Sequence, residues 1–311
     1  MSSILAPGLQ VQERYELLER LDDYGRGECW KAKDHRNRGQ TVVVKFLRVR
    51  AVGEEVLPHA LEQHFTRLRA VRHGHILPTL GHGEHGRRPF VVVEWRAGRS
   101  LAAGLPRRLE EPALPPALVE RFFDCILSAL ESAHGAREPL LHGGIDPRSV
   151  HVLRVGERNF ELRVQDFGLA PYADWLHGKD EYHALTLRHA PEWKPGQTHT
   201  LAAEMFALGE LARVLFGRLP NYRAPCDDVP EAVWALVERA TAAHPEARYP
   251  AMAALREDFK RRWNQPGVPA ADVAAPTVVT VPSAPPAEDA QAPDATVLLS
   301  PGAAAPGRPA R

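Results

Sequence analysis

The residue periodicity changes once along this 311-residue chain, and that change restricts the architectures open to it. From about Arg14 to Val93 apolar residues come in short β-rich runs around a single helix; from about Ser100 the spacing turns helical. Strands first and helices afterwards describe an α+β chain, with a small β-rich part followed by a larger helical one. The run Thr41-Val42-Val43-Val44-Lys45-Phe46-Leu47 is β-branched and suits a buried strand, with one lysine inside it. Residues 57–71 place Leu61, Phe65, Leu68 and Val71 on one helical side, and 118–134 do the same with Phe122, Ile126 and Leu130. Beyond Trp263 the composition shifts to Pro, Ala, Val and Thr without a lysine or a period, so 266–311 reads as a disordered tail.

Composition narrows the class of function. Lys plus Arg and Asp plus Glu both total 39, so no overall basic field argues for nucleic acid or an anionic membrane. Cys29, Cys125 and Cys226 are isolated and lack metal spacing, as expected of reduced thiols in the cytoplasm. The first residues lack a basic, then apolar, signal pattern. No apolar run reaches the roughly 18 residues that a membrane span needs. A cytoplasmic protein is expected.

Two stretches carry the chemistry: Leu141-His142-Gly143-Gly144-Ile145-Asp146-Pro147-Arg148-Ser149-Val150, and Val164-Gln165-Asp166-Phe167-Gly168-Leu169. Further on come Ala190-Pro191-Glu192 and His244-Pro245-Glu246-Ala247-Arg248-Tyr249-Pro250. In this order, after the 41–47 strand, they resemble the protein kinases of the bacterial serine/threonine type: H-R-D-L-K-P-x-N, D-F-G, A-P-E and a final Arg turn. The resemblance spans about 14–263. It implies a bilobal domain over 14–265, with a β-rich lobe at about 14–95 and a helical lobe at about 98–265.

Carried over position by position, the resemblance makes Lys45 the phosphate lysine and Asp166 the Mg²⁺ ligand. Of the glycine-rich loop only Gly27 survives, with Asp22 and Tyr24 at the first two glycine positions. Gly144 stands at the catalytic Asp, Asp146 at the phosphate-binding Lys, Ser149 at the second metal ligand and Gly143 at the Arg of H-R-D. His64 takes the place of the helix Glu that would pair with Lys45; Glu62 lies about 200° round the helix. Val43 replaces the small Ala of V-A-I-K, His151 falls under the position of the base, and Leu185 takes the place of the substrate-loop Thr, beside Thr186. Glu204 replaces the Asp of the D-x-x-x-L-G helix, and Glu192 with Arg248 is expected to form a buried, architectural ion pair. His73, His75, His82 and His85 fall on turn and hairpin positions of the family, which favours ordinary packing over zinc.

The joint loss of base, lysine, second metal ligand and helix Glu implies a pseudokinase acting as a binding or regulatory module. Two alternatives stand beside it: a divergent active Ser/Thr kinase with Asp146 as displaced base, and a transferase of another nucleotide group, such as adenylyl. ATP and Mg²⁺ at Lys45, Asp166 and Gly27 are left open by this reading. In the tail, 276–279 and 294–299 repeat a Thr-Val-aliphatic pattern. Thr296 followed by Leu299 resembles a phosphothreonine site of the kind that forkhead-associated domains read, once an active kinase has modified it.

Overall fold

The computed structural model describes residues 5–21, 27–47, 57–86, 88–105, 114–155, 159–169, 187–194, 199–217, 225–226 and 229–264. Contacts divide the chain into residues 1–279 and 280–311, and every described residue belongs to the first unit. Asp22, Tyr24, Leu185, Thr186, Thr296 and the tail 266–311 lie outside the described residues.

The first half is a six-stranded antiparallel sheet. Its strands are β1 (Gln10–Val11), β2 (Tyr15–Leu21), β3 (Glu28–Asp34), β4 (Gln40–Phe46), β5 (Thr79–His85) and β6 (Arg88–Glu94), in the spatial order β1-β2-β3-β4-β6-β5. The uninterrupted β-branched run has its reason in β4, which is buried on both faces. On the outer face Val42, Val44 and Phe46 join Tyr15, Leu17, Trp30, Phe90 and Val92, covered by Leu5 and Leu9 from the N-terminal segment. On the inner face Val43 packs with Cys29, Leu77 and Val93. The alternation that sends Phe46 outward sends Lys45 inward, directly opposite Cys29 of β3.

Helix α1 (Leu57–Ala70) lies between β4 and β5 in the chain, and Phe65 and Leu68 join the main core. The helical half follows: α2 (Leu101–Gly104), α3 (Pro116–His134), α4 (Leu201–Phe216), α5 (Glu231–Ala240) and α6 (Met252–Trp263). Its core is aromatic where α3, α4 and α6 meet. Phe123 packs edge-on against Phe216 and Phe259 at centroid separations of 5.1 and 4.9 Å. Arg256 of α6 ties back to Asp124 and Glu131 of α3 at 2.8 and 2.7 Å.

A small second sheet joins the halves. β7 (Gly98–Ser100), β8 (Val150–Val155) and β9 (Asn159–Val164) pair antiparallel in that order. Val164 of β9 is also bridged to the segment before β5, donating its N–H to His75 O while Leu77 N–H donates to Val164 O. Residues 95–97 connect β6 to β7 and so link the two sheets along the chain.

Candidate functional site

Lys45 points inward from β4, and the turn after β9 meets it. Its ammonium donates to Gln165 Oε1 at 2.8 Å and Asp166 Oδ1 at 2.7 Å. Lys45 is 0% exposed, and the Asp166 side chain is nearly as deeply buried. Asp166 holds φ +67°, a left-handed conformation that a non-glycine residue keeps only when its surroundings fix it. Those surroundings come from His142, whose Nε2 lies 2.9 Å from Gln165 O and whose own carbonyl accepts from Gly168 N–H. Phe167 is buried against the His142 ring.

His64 of α1 reaches the same turn. Its Nε2 is 2.8 Å from Phe167 O, and since a carbonyl only accepts, this nitrogen donates. Burial, the largest influence on it, lowers the imidazole pKa and favours the neutral ring. Gly168 has φ +63°, and a Cβ there would stand 2.0 Å from the His64 ring. The helix thus holds the turn through an uncharged hydrogen bond. Glu62 is exposed on the other side of α1.

Facing this turn is the loop that leads into β8. Gly143 and Gly144 hold φ +79° and +140°, backbone that favours glycine. Gly143 N–H donates to Glu204 Oε2 at 2.8 Å, and the other oxygen of Glu204 meets His134 Nε2 at 2.5 Å. Asp146 Oδ1 accepts from the backbone N–H groups of Arg148 and Ser149 at 2.9 and 3.0 Å, an Asx turn. Ser149 Oγ is turned back the same way, donating to Asp146 O and accepting from Asp146 N–H. An aspartate at 144 has to adopt the strained φ: Gly144→Asp is expected to destabilise by about 1–3 kcal/mol, read as a lower denaturant midpoint at unchanged slope.

Gly27 opens β3 at φ +87°, where a Cβ would meet Phe46 O at 2.8 Å, so close backbone packing already accounts for this glycine. Glu192 and Arg248 form the expected pair, two-pronged at 2.6 and 2.8 Å, but only Arg248 is buried and Glu192 is exposed; Arg248 also donates to the carbonyls of Ala202, Ala242 and Ala243. Nearby, Glu210 of α4 is buried and accepts from both Arg188 and Arg213. Histidines of the β5 region have protein partners. His75 Nδ1 contacts Leu162 O, His73 accepts from His75 N–H, and His82 stacks on Phe65 at 4.3 Å. Among the described residues no group of three metal-binding side chains comes together, and no helix is long and apolar enough to cross a membrane.

Gln165 as a partner of Lys45 and His134 as a partner of Glu204 have no signal in the local sequence. For the Asp146 turn a signal exists: Asp-Pro-x-Ser is itself a turn-capping pattern.

No family model matches the chain. It is 26% identical over 269 residues to serine/threonine-protein kinase Pkn1 of Myxococcus xanthus, covering 78% of this chain and 37% of that protein. To serine/threonine-protein kinase A of Synechocystis it is 26% identical over 265 residues, covering 79% of this chain and 48% of that one. The chain therefore spans less than half the length of either relative. In structure, the Mycobacterium tuberculosis PknI kinase domain superposes with a TM-score of 0.65 at 19% identity, covering 83% of this chain and 100% of that domain. Fold and sequence relationship agree: the chain is a kinase-fold protein related to the bacterial serine/threonine kinases.

Proposed function

We propose that the chain is a pseudokinase: a kinase-fold binding and regulatory module of the cytoplasm that acts through a protein partner and does not transfer phosphate. One observation carries the reading. The loop 142–149 offers glycine where a base is needed, and its one carboxylate, Asp146, accepts from the amides of its own turn. A general base must instead lie within hydrogen-bond reach of the hydroxyl that it deprotonates.

ATP and Mg²⁺ fit the remaining residues poorly. Asp166 Oδ1 faces the Lys45 ammonium, and Ser149 Oγ faces the Asp146 backbone. A metal at Asp166 has to compete with Lys45 for that oxygen, and a phosphate at Lys45 has to compete with Asp166 and Gln165.

The test is incubation of the full chain with radiolabelled ATP, Mg²⁺ or Mn²⁺, and a generic protein substrate. No label above that of the Asp166→Ala variant is expected, on substrate or on the chain itself. Incorporation that Asp166→Ala abolishes overturns the reading. If Asp146→Asn abolishes it as well, the displaced-base kinase is the correct description.

A further inference from the structure

A pocket of about 370 Å³ lies between the end of α1 and the segment that leads into β5. Leu68, Val71, Ile76 and Pro78 make its apolar wall, and the first three belong to the main core. Arg69 and Arg72 line the same pocket, and both are exposed. Cations at the end of a helix suit its dipole, which accounts for their place in the chain but not for their missing counter-charge. Arg67 shows the ordinary arrangement, pairing with Glu138 at 3.1 Å. Among the described residues neither Arg69 nor Arg72 has a carboxylate partner. His73, also in the lining, adds no charge near pH 7: its Nδ1 accepts from His75 N–H, and burial lowers its pKa. The wall is tied to the turn that meets Lys45. His75 O accepts from Val164 N–H at 2.7 Å, and Leu77 N–H donates to Val164 O at 2.8 Å. Gln165 and Asp166, the partners of Lys45, come directly after Val164.

We propose that this pocket binds a small amphipathic carboxylate, an apolar chain or ring of a few carbons with one anionic end. The wall of Leu68, Val71, Ile76 and Pro78 takes the apolar body out of water, and the exposed Arg69 and Arg72 meet the carboxylate. The volume falls in the range of small-ligand sites, which combine an apolar lining with a few charged groups that fix orientation. A ligand charged along its whole length is disfavoured, because its polar groups would lose water against apolar side chains. A bound carboxylate restrains residues 73–77, and through the two Val164 hydrogen bonds it also restrains the turn at Lys45. The site is independent of whether the chain transfers phosphate.

The experiment titrates the full chain with octanoate by calorimetry, beside acetate, which has the charge without the body, and 1-octanol, which has the body without the charge. Octanoate is expected to bind saturably at one site per chain and acetate not to bind, while 1-octanol binds about tenfold more weakly than octanoate. Arg69→Gln and Arg72→Gln alter exposed side chains and leave the core intact. Each is expected to weaken octanoate by about threefold and the double variant by about tenfold, with 1-octanol unaffected. Hydrogen exchange locates the ligand: the Leu77 and Val164 amides should exchange more slowly when octanoate is bound. The proposal is overturned if wild type shows no saturable binding at millimolar octanoate, or if the double variant binds octanoate as tightly as wild type. Equal affinity for octanoate and 1-octanol overturns it too, as does slowed exchange confined to another part of the chain.

Discussion

Lys45→Met is expected to lower stability by about 3–5 kcal/mol, and adding Asp166→Leu to recover most of that loss. The reason is burial. Both charges lie out of water at 2.7 Å from each other, and Gln165 supplies a further acceptor to the ammonium. Removing the ammonium alone strands a carboxylate in a medium that solvates it poorly, whereas replacing both partners by apolar groups removes the charge to be solvated. Urea unfolding of wild type, the two single variants and the double variant measures this directly. The cycle should give a coupling energy of several kcal/mol, well beyond the scatter of independent sites. A Lys45→Met loss below about 1 kcal/mol would mean that the pair is not architectural. The result bears on how the site is probed, because loss of nucleotide binding in Lys45→Met would mix a missing contact with a weakened fold.

The part of this molecule that was legible in its sequence is the part set by local pattern. The β-branched run of β4 announces a strand buried on both faces, and strand alternation then fixes Lys45 on the inner one. Helical periods mark α1 and α3 within a residue or two of their observed ends. Short motifs with fixed backbone demands, such as Asp166-Phe167-Gly168, give position and order. Partners separated by a hundred residues were harder. Nothing around Gln165 says that its amide oxygen will meet an ammonium 120 positions earlier. At position 64 the sequence shows a missing carboxylate, while only the packed structure shows an imidazole holding the turn. Asp146 illustrates a different limit. Its place in the loop invites a catalytic reading, yet its spacing to Arg148 and Ser149 already satisfies a turn, and the local hydrogen bonds were the stronger constraint.

These substitutions form a connected set. With Gly at 143 and 144, the loop gains a backbone freedom that has to be restrained from elsewhere, and Glu204 supplies the restraint. Replacing Glu by the family's shorter Asp would withdraw the carboxylate from either Gly143 or His134. The longer side chain spans both, so the histidine at the end of α3 and the glutamate near the start of α4 are coupled choices.

Glu204→Ala should therefore rank with Lys45→Met, costing about 3–5 kcal/mol, since it leaves the Gly143 amide and His134 without their buried acceptor. Glu204→Gln keeps an oxygen for Gly143 and loses the charge facing His134, for a cost of about 1–2 kcal/mol. Acid titration separates the charge from the shape. Burial alone would raise the Glu204 pKa, but the His134 hydrogen bond and charge, with His142 and the Gly143 amide, outweigh it and leave the value below the ordinary 4.5. A carboxylate with a depressed folded-state pKa stabilises fully above its unfolded value and loses that contribution as pH falls through the folded value. The stability gap between wild type and Glu204→Gln should accordingly hold from pH 7 to about 5 and shrink below 4.5. Hydrogen exchange supplies a readout that a general loss of packing would not reproduce. The Gly143 amide should exchange faster in Glu204→Ala at a pH and temperature where the α3 and α4 amides remain protected. Equal protection of Gly143 in both proteins would show that the loop is restrained by something other than this carboxylate.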